Sequence, residues 1–149
     1  MRSVALVLLL VLLSVAACRD DETAGVGATV QVGDLDLTLV DFEMLDEGSY
    51  SALSDANARL RVHAVNTRGR LGEPYRFAPF AAFLLDDESG VGRGPQLCLG
   101  CEDLMEAVEL DQGAEIGGWL YFSLGEGQHA ARLRYAAPLS RNRAEFSLD

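Results

Sequence analysis

An alternation of polar and apolar side chains over residues 59–65 constrains the fold of this chain more than any other pattern in its sequence. Residues 34–39 repeat the pattern, with leucines that alternate with aspartate or threonine. Successive side chains of a strand point to opposite faces of a sheet, so both segments predict half-buried β-strands. Leu60 and Val62 are expected in the core, and Arg61 is expected on the outer face.

Further short apolar segments follow along the chain, and turn residues separate them. These segments are 30–32, 77–85, 116–124, 131–135 and 144–148. Residues 104–110 fit either a helical turn or a short strand at 108–110. We therefore expect about seven short strands and no long helix, with Trp119 and Phe122 in the core. Two sheets must bury their apolar faces against each other, which predicts an all-β fold, an antiparallel β-sandwich.

The first eighteen residues have the features of a bacterial lipoprotein signal peptide. Arg2 and the amino terminus are positively charged, an apolar run extends from Val4 to Val15, and small residues precede Cys18. A transmembrane helix needs about 20 apolar residues, and this run is shorter. An ordinary secretory signal and a buried amino-terminal helix are the alternatives. We predict cleavage after Ala17 and acylation of Cys18.

This prediction divides the chain into a signal peptide of residues 1–17, a lipidated flexible tether of residues 18–27 and one folded domain of residues 28–149. The tether is polar and acidic and has too few apolar side chains to fold. A lipid on Cys18 places the domain in the bacterial cell envelope, outside the cytoplasmic membrane. Arg19, rather than aspartate, at the second mature position favours the outer membrane in a host that has two membranes.

The composition is strongly acidic, with 23 acidic residues against 12 arginines and a net charge of −11. This charge argues against nucleic acid as a partner, because binding to phosphates depends on clustered basic side chains. It also disfavours docking on anionic lipid headgroups, so membrane attachment is expected through the lipid on Cys18. The other expected partner is a second envelope or extracellular protein.

Two cysteines remain after Cys18 is assigned to lipid, and they are spaced as Cys98-x-x-Cys101. Outside the cytoplasm, an even number of cysteines predicts a disulfide between them. The same spacing also occurs in thiol-disulfide catalysts, where it lies at the amino terminus of a helix. No βαβ pattern surrounds it here, and the acidic Glu102 and Asp103 disfavour a thiolate. A redox protein that uses Cys98 and Cys101 is the first alternative function.

Residues that bind metals or act as nucleophiles are scattered. His63 and His129 lack the spacing of a ligand pair, and zinc would require two ligands beyond the two cysteines. The acidic clusters 86–88 and 102–103 lack the spacing of a calcium loop and are expected to be solvated. No serine lies in a G-x-S-x-G motif. We predict no catalytic residue and no cofactor, and a metal-binding lipoprotein that uses His63 or His129 is the second alternative.

Four segments carry a resemblance to a known family, namely 33–37, 60–67, 83–87 and 110–122. Their succession resembles bacterial extracytoplasmic domains that are labelled telomeric-repeat-binding-factor-2-like, a label that describes no activity. The resemblance covers residues 28–149 and implies an immunoglobulin-like sandwich of the kind found in a mycobacterial secreted immunoprotective antigen. The chain departs from the family in having a glutamine before Gly113 and in its two-cysteine loop.

The resemblance implies a lipid-anchored binding or accessory module, since the family has no established catalytic residues. Sandwich domains commonly bind through sheet edges or loops, and residues 90–101 form the longest irregular stretch predicted here. We therefore expect the contact surface at an exposed sheet edge or at a loop, and this loop is the longest candidate.

Overall fold

A computed structural model describes residues 23–46 and 55–149 of the chain. It contains ten strands and one short helix. In chain order they are β1 (Thr29–Val32), β2 (Leu35–Met44), β3 (Ala58–Asn66), β4 (Tyr75–Phe77), α1 (Pro79–Ala82), β5 (Phe83–Asp87), β6 (Gly92–Arg93), β7 (Val108–Leu110), β8 (Glu115–Phe122), β9 (Ala130–Ala136) and β10 (Arg143–Ser147). The predicted signal peptide and Cys18 lie outside the described residues. Within the described residues, no helix is long and apolar enough to cross a membrane.

The strands form two four-stranded antiparallel sheets and a two-stranded ribbon. The first sheet has the order β1-β2-β3-β8, the second has the order β10-β9-β5-β6, and β4 pairs with β7 in the ribbon. This arrangement confirms the prediction of an immunoglobulin-like antiparallel β-sandwich. The number of strands exceeds the predicted seven because β4, β6 and β7 are each only two or three residues long.

Residues 77–85 do not form one continuous strand as predicted, because a helical turn interrupts them. β4 ends at Phe77, and Pro79 begins the single-turn helix α1 before β5 starts at Phe83. Proline is favoured at the first position of a helix, because an N–H at that position would have no acceptor within the helix and its absence costs nothing. The short strand at 108–110 is present, so of the two alternatives for residues 104–110 the strand is correct.

The core lies between the two sheets. Leu60, Val62 and Phe122 are fully buried there, as the alternating pattern predicts. An aromatic cluster of Phe77, Phe83 and Tyr135 completes one end of this core, with ring centroids 5.0 to 6.3 Å apart. The buried Tyr135 hydroxyl is paired with that of Tyr75 at 2.8 Å, and burial raises the pKa of Tyr135. The buried hydroxyl of Tyr135 therefore has a hydrogen-bond partner within the protein.

Trp119 is buried, but it does not belong to this core. Leu120 and Phe122 point between the sheets, so Trp119 and Tyr121 point to the outer face of the first sheet. There they form a separate small cluster with Cys98. The prediction that placed Trp119 and Phe122 together is therefore corrected, since residues three apart in a strand lie on opposite faces.

The amino-terminal part of the described chain is bound to the sandwich. Ala24 forms a parallel bridge with Phe146 of β10, and the Ser147 amide donates to the Ala24 carbonyl at 2.7 Å. The Gly27 amide donates to the Leu39 carbonyl, also at 2.7 Å. Residues 24–27 are thus hydrogen-bonded to the sandwich.

Candidate functional site

Residues 94–107 lie along β8, the edge strand of the first sheet. The Gln96 amide donates to the Tyr121 carbonyl at 2.7 Å, the Trp119 amide donates to the Asp103 carbonyl at 2.7 Å, and the Met105 amide donates to the Trp119 carbonyl at 2.9 Å. An uncovered edge strand would expose these backbone groups to pairing with other chains. The segment therefore covers the edge of β8 as an irregular extra strand.

Gly118 permits this close approach. A Cβ atom at Gly118 would lie 2.7 Å from the Asp103 carbonyl oxygen and 3.0 Å from the Cα of Met105. At the neighbouring Gly117, a Cβ atom would meet nothing nearer than 3.5 Å. The packing therefore requires glycine at position 118 but not at position 117, because no side chain fits between β8 and the covering segment at Gly118.

The covering segment contains the predicted disulfide. Cys98 and Cys101 are bonded to each other, with their Cα atoms 5.4 Å apart. The Cys101 amide donates to the Cys98 carbonyl at 3.3 Å, and Gly100 adopts a positive φ of 86°. A tight turn rather than a helix therefore holds the two cysteines.

The inner side of this loop packs on the outer face of the first sheet. Cys98 is only 1% exposed and contacts the cluster of Trp119 and Tyr121. The Tyr121 hydroxyl donates to the Glu102 carbonyl at 3.0 Å. The hydrogen bonds on both sides of the disulfide and the ring contacts beneath it fix the loop in position.

Two arginines of β3 contact the Trp119 ring of this cluster. The guanidinium of Arg59 lies 4.1 Å from the centre of the Trp119 ring, and that of Arg61 lies 5.8 Å away. Arg59 also pairs with Glu43 of β2 at 2.6 Å. A cation above an indole ring is attracted by the negative face of the ring. These contacts hold Trp119 flat beneath the disulfide-bonded loop.

The outer side of the loop is apolar and exposed. Leu97 is 63% exposed and Leu99 is 61% exposed, although they flank the buried Cys98. We call these two side chains the leucine tip. Two neighbouring exposed leucines on a tightly held loop favour a contact surface, because their burial in a complex removes apolar area from water. The sequence identified the loop, but its two leucines gave no separate signal.

The loop does not have the geometry of a redox centre. An attacking thiol must be reachable, and Cys98 is buried against aromatic rings. The helix amino terminus that activates such thiols is replaced here by a turn. The disulfide instead closes the turn that follows Cys98, and Cys98 packs on Trp119 and Tyr121 of the sheet.

The two histidines are not brought together. His63 lies on the outer face of β3 and contacts Glu115 at 3.2 Å, whereas the His129 carbonyl accepts from the Glu88 amide in a loop before β9. Within residues 23–46 and 55–149, no group of three or more His, Cys, Asp or Glu side chains is placed to hold a metal ion.

The acidic cluster 86–88 differs from its prediction, because two of its side chains are buried and paired. Asp86 lies between two arginines of β9, with Arg134 at 2.6 Å and Arg132 at 3.0 Å. The hydrogen bond to Asp86 raises the pKa of Arg134. Asp87 accepts hydrogen bonds from Ser89, which lower the pKa of its carboxyl group. These acids stabilise the second sheet and are not a solvated surface.

Comparison with solved structures shows the fold. The chain is similar to the YjhA protein of Bacillus subtilis, with a TM-score of 0.64, 18% identity and coverage of 85% of this chain and 100% of that one. It is also similar to a candidate lipoprotein of B. subtilis, YcdA, with a TM-score of 0.62 and 16% identity over 81% of this chain and 38% of that one.

A secreted protein of Mycobacterium tuberculosis, MPT63, is similar over 84% of this chain and 95% of its own length, with a TM-score of 0.62 and 13% identity. The expected likeness to a mycobacterial secreted protein is therefore confirmed at the level of the fold. No protein-family model and no curated protein sequence matches the chain. Membership of the telomeric-repeat-binding-factor-2-like group stays a prediction.

Proposed function

We propose that this protein is a lipid-anchored, non-catalytic binding module of the bacterial cell envelope, and that the leucine tip is its contact surface for another protein. The observation that carries the proposal is the exposure of Leu97 and Leu99 on a loop fixed by a disulfide and by hydrogen bonds to β8. A contact surface held in one conformation loses little entropy on binding.

The location outside the cytoplasm has two supports. Residues 1–18 read as a lipoprotein signal peptide, and the fold is similar to that of a candidate lipoprotein and a secreted protein. A disulfide between Cys98 and Cys101 fits such a compartment, since disulfides persist where thiols are not continuously reduced.

The charge beside the leucine tip indicates the chemistry of the partner. Glu102, Asp103 and Glu106 follow the disulfide and are exposed. Complementary charge favours encounter and orientation. We therefore expect a partner with an apolar pocket for the two leucines and a basic rim that faces these acids.

Site-specific photocrosslinking in the bacterium tests the proposal. A photoreactive amino acid in place of Leu99 should capture one defined envelope protein, and the same substitution at Leu84 serves as the control. Leu84 is partly exposed on the outer face of the second sheet, away from the loop. The product captured from position 99 should be lost when Leu97 is also changed to serine.

Stability must be measured on the same variants. Leu97→Ser and Leu99→Ser remove exposed side chains, so the free energy of unfolding should change by no more than about 0.5 kcal/mol. Identical capture from positions 84 and 99, or capture that survives Leu97→Ser in a folded protein, would contradict the proposal.

A further inference from the structure

The second sheet has an outer face that takes no part in the core. Alternate residues of β5, β9 and β10 point between the sheets, so the residues between them point outward. These outward residues are Leu84 and Asp86 of β5, Arg132, Arg134 and Ala136 of β9, and Arg143, Glu145 and Ser147 of β10. The cluster beneath the leucine tip lies on the outer face of the other sheet. The two surfaces are therefore on opposite sides of the sandwich.

This outer face contains a depression with a volume of about 290 Å³. The depression forms where Ala136 is small and its neighbours are long. Arg134 lies two residues before Ala136 on β9, and Arg143 is paired with Ala136 across β10. Ala82 of α1 and Leu84 of β5 also line it. Its floor is therefore apolar, and two guanidinium groups lie at its rim.

Arg134 is fixed by one side of its guanidinium group. Its Nη2 donates to Oδ1 of Asp86 at 2.7 Å, and its Nε lies 2.6 Å from Oδ2 of the same carboxylate. Asp86 also pairs with Arg132 at 3.0 Å, so one carboxylate serves two arginines. Among residues 23–46 and 55–149, no acceptor bonds to Nη1 of Arg134. This nitrogen therefore has hydrogen atoms to donate to a ligand.

Arg143 is held by the backbone of its own turn and has no acidic partner. Its Nη1 donates to the carbonyls of Ser140 at 2.9 Å and Asn142 at 2.8 Å. In the part of the chain that the structure describes, no carboxylate lies within ion-pair distance of it. Glu145, which also lines the depression, pairs with Arg132 at 3.2 Å. The face thus has three arginines against two carboxylates, and the unpaired arginine lies at the rim.

We propose that this depression binds a small organic carboxylate, with its charged group on Arg143 and Arg134 and its hydrocarbon part on the apolar floor. A guanidinium group matches the geometry of a carboxylate, and burial of the hydrocarbon part removes apolar area from water. The carboxylate of Glu145 disfavours a second negative charge on the ligand. This site goes beyond the proposed function, because it is separate from the leucine tip and does not depend on a lipid on Cys18.

The volume of the depression limits the size of the ligand. A water-sized group occupies about 30 Å³, so 290 Å³ accommodates roughly ten non-hydrogen atoms. A monocarboxylate of about six to eight carbons has this size. Hexanoate is therefore a suitable probe, and hexanamide is its uncharged equivalent.

A titration of the full chain, purified from the envelope, with hexanoate tests the site by nuclear magnetic resonance. The amide signals of residues 82–84, 134–136 and 143–145 should shift together and reach half-saturation at about 1 mM or below. Hexanamide lacks the charge, and inorganic phosphate lacks the hydrocarbon part. Both should bind about tenfold more weakly than hexanoate.

Three variants separate charge from shape. Arg143→Gln should weaken the binding of hexanoate about tenfold or more, because it removes charge-assisted hydrogen bonds. Arg141→Gln is the matched control, since Arg141 is exposed in the same turn but does not line the depression. Ala136→Val changes no charge but fills the floor, so it should also weaken binding. Leu99→Ser should bind hexanoate as tightly as the unchanged protein.

The amide spectrum of each variant shows whether it is folded, so a loss of binding is read only from folded protein. Shifts that do not saturate, or that fall on other residues, would overturn the proposed site. Equal weakening by Arg141→Gln and Arg143→Gln would do the same, as would hexanamide or phosphate that binds as tightly as hexanoate. A loss of binding in Leu99→Ser would overturn the separation of this site from the leucine tip.

Discussion

The sandwich core and the cluster beneath the disulfide-bonded loop are both buried, but they are built in different ways. The core is formed by alternate residues of long strands, such as Leu60 and Leu120, which are paired across β3 and β8 and face the second sheet. The loop cluster is formed by Trp119 and Tyr121 on the outer face of β8, covered by a segment with no repeating pattern.

Because of this difference, the core determines the stability of the domain, and the loop determines the shape of the surface at β8. Removal of a core side chain affects both sheets at once, whereas changes in the loop affect only the edge of one sheet. The loop can therefore vary in sequence and present a contact surface while the sandwich remains folded. Four experiments test whether the core and the loop contribute separately to stability, and they follow in order of decreasing expected effect.

Leu60→Ala should give the largest loss. Leu60 is fully buried between the sheets, so truncation removes apolar contacts and leaves a cavity. The expected cost is about 2–5 kcal/mol in the free energy of unfolding, measured by denaturant titration. Arg61→Ala is the control, since its side chain is exposed on the other face and loss of its contact with Trp119 should cost less than about 1 kcal/mol. Equal losses would show that the faces of β3 are wrongly assigned.

The double variant Cys98→Ser, Cys101→Ser should lose less. A short cross-linked loop restricts the unfolded chain only slightly, so the expected cost is about 2 kcal/mol. The sandwich should still unfold cooperatively, and amide exchange should increase mainly in residues 94–107. A protein that fails to fold without the disulfide would contradict the separation of loop and core.

Gly118→Ala should cost about 1–2 kcal/mol, because the added Cβ meets backbone atoms of the covering segment. The added Cβ would collide with the Asp103 carbonyl and detach the covering segment from β8. Exchange of the Met105 and Trp119 amides should accelerate, since both are hydrogen-bonded across this contact. Gly117→Ala is the matched control, and the same acceleration there would refute the packing argument.

Acidification should weaken the second sheet more than the loop. The pKa of Asp87 is lowered in the folded protein, chiefly by the hydrogen bond from Ser89, from an ordinary value of 3.8. A lowered folded-state pKa stabilises the protein above the unfolded value, and this stabilisation is lost as the pH falls through the folded value. Ser89→Ala should therefore reduce the loss of stability as the pH falls below the ordinary carboxyl value of 3.8, and an unchanged pH dependence would contradict this role of Ser89.

The sequence predicts the regular part of the fold well because period-two alternation acts within single strands. Residues 35–39 and 59–65 fall inside β2 and β3, and the alternating apolar side chains are buried as expected, namely Leu35, Leu37, Leu39, Leu60, Val62 and Ala64. The apolar segment 116–124 predicts Trp119 in the core together with Phe122, although a spacing of three residues assigns the two side chains to opposite faces of a strand. Residues 86–88 appear solvated by composition, but pairing with arginines of β9 buries Asp86.

The site was predictable only in part. The spacing of Cys98 and Cys101 indicates the disulfide, whereas the pairing of Gln96 with Tyr121 and of Asp103 with Trp119 joins segments that share no pattern. One local signal was present, because a glycine inside a strand indicates close approach of another backbone, and Gly118 has this role. Contacts between distant segments depend on tertiary packing, which periodicity within a strand does not encode.

We propose that Cys98 and Cys101 stabilise a binding surface on a lipid-anchored domain and do not catalyse disulfide exchange. This proposal is tested by mass spectrometry of the protein, isolated from the bacterial envelope after its free thiols have been trapped. We expect a mature chain that begins at an acylated Cys18, with Cys98 and Cys101 fully oxidised and untouched by the trapping reagent. A chain that lacks acyl groups on Cys18, or a population with Cys98 and Cys101 partly reduced and trapped, would contradict it.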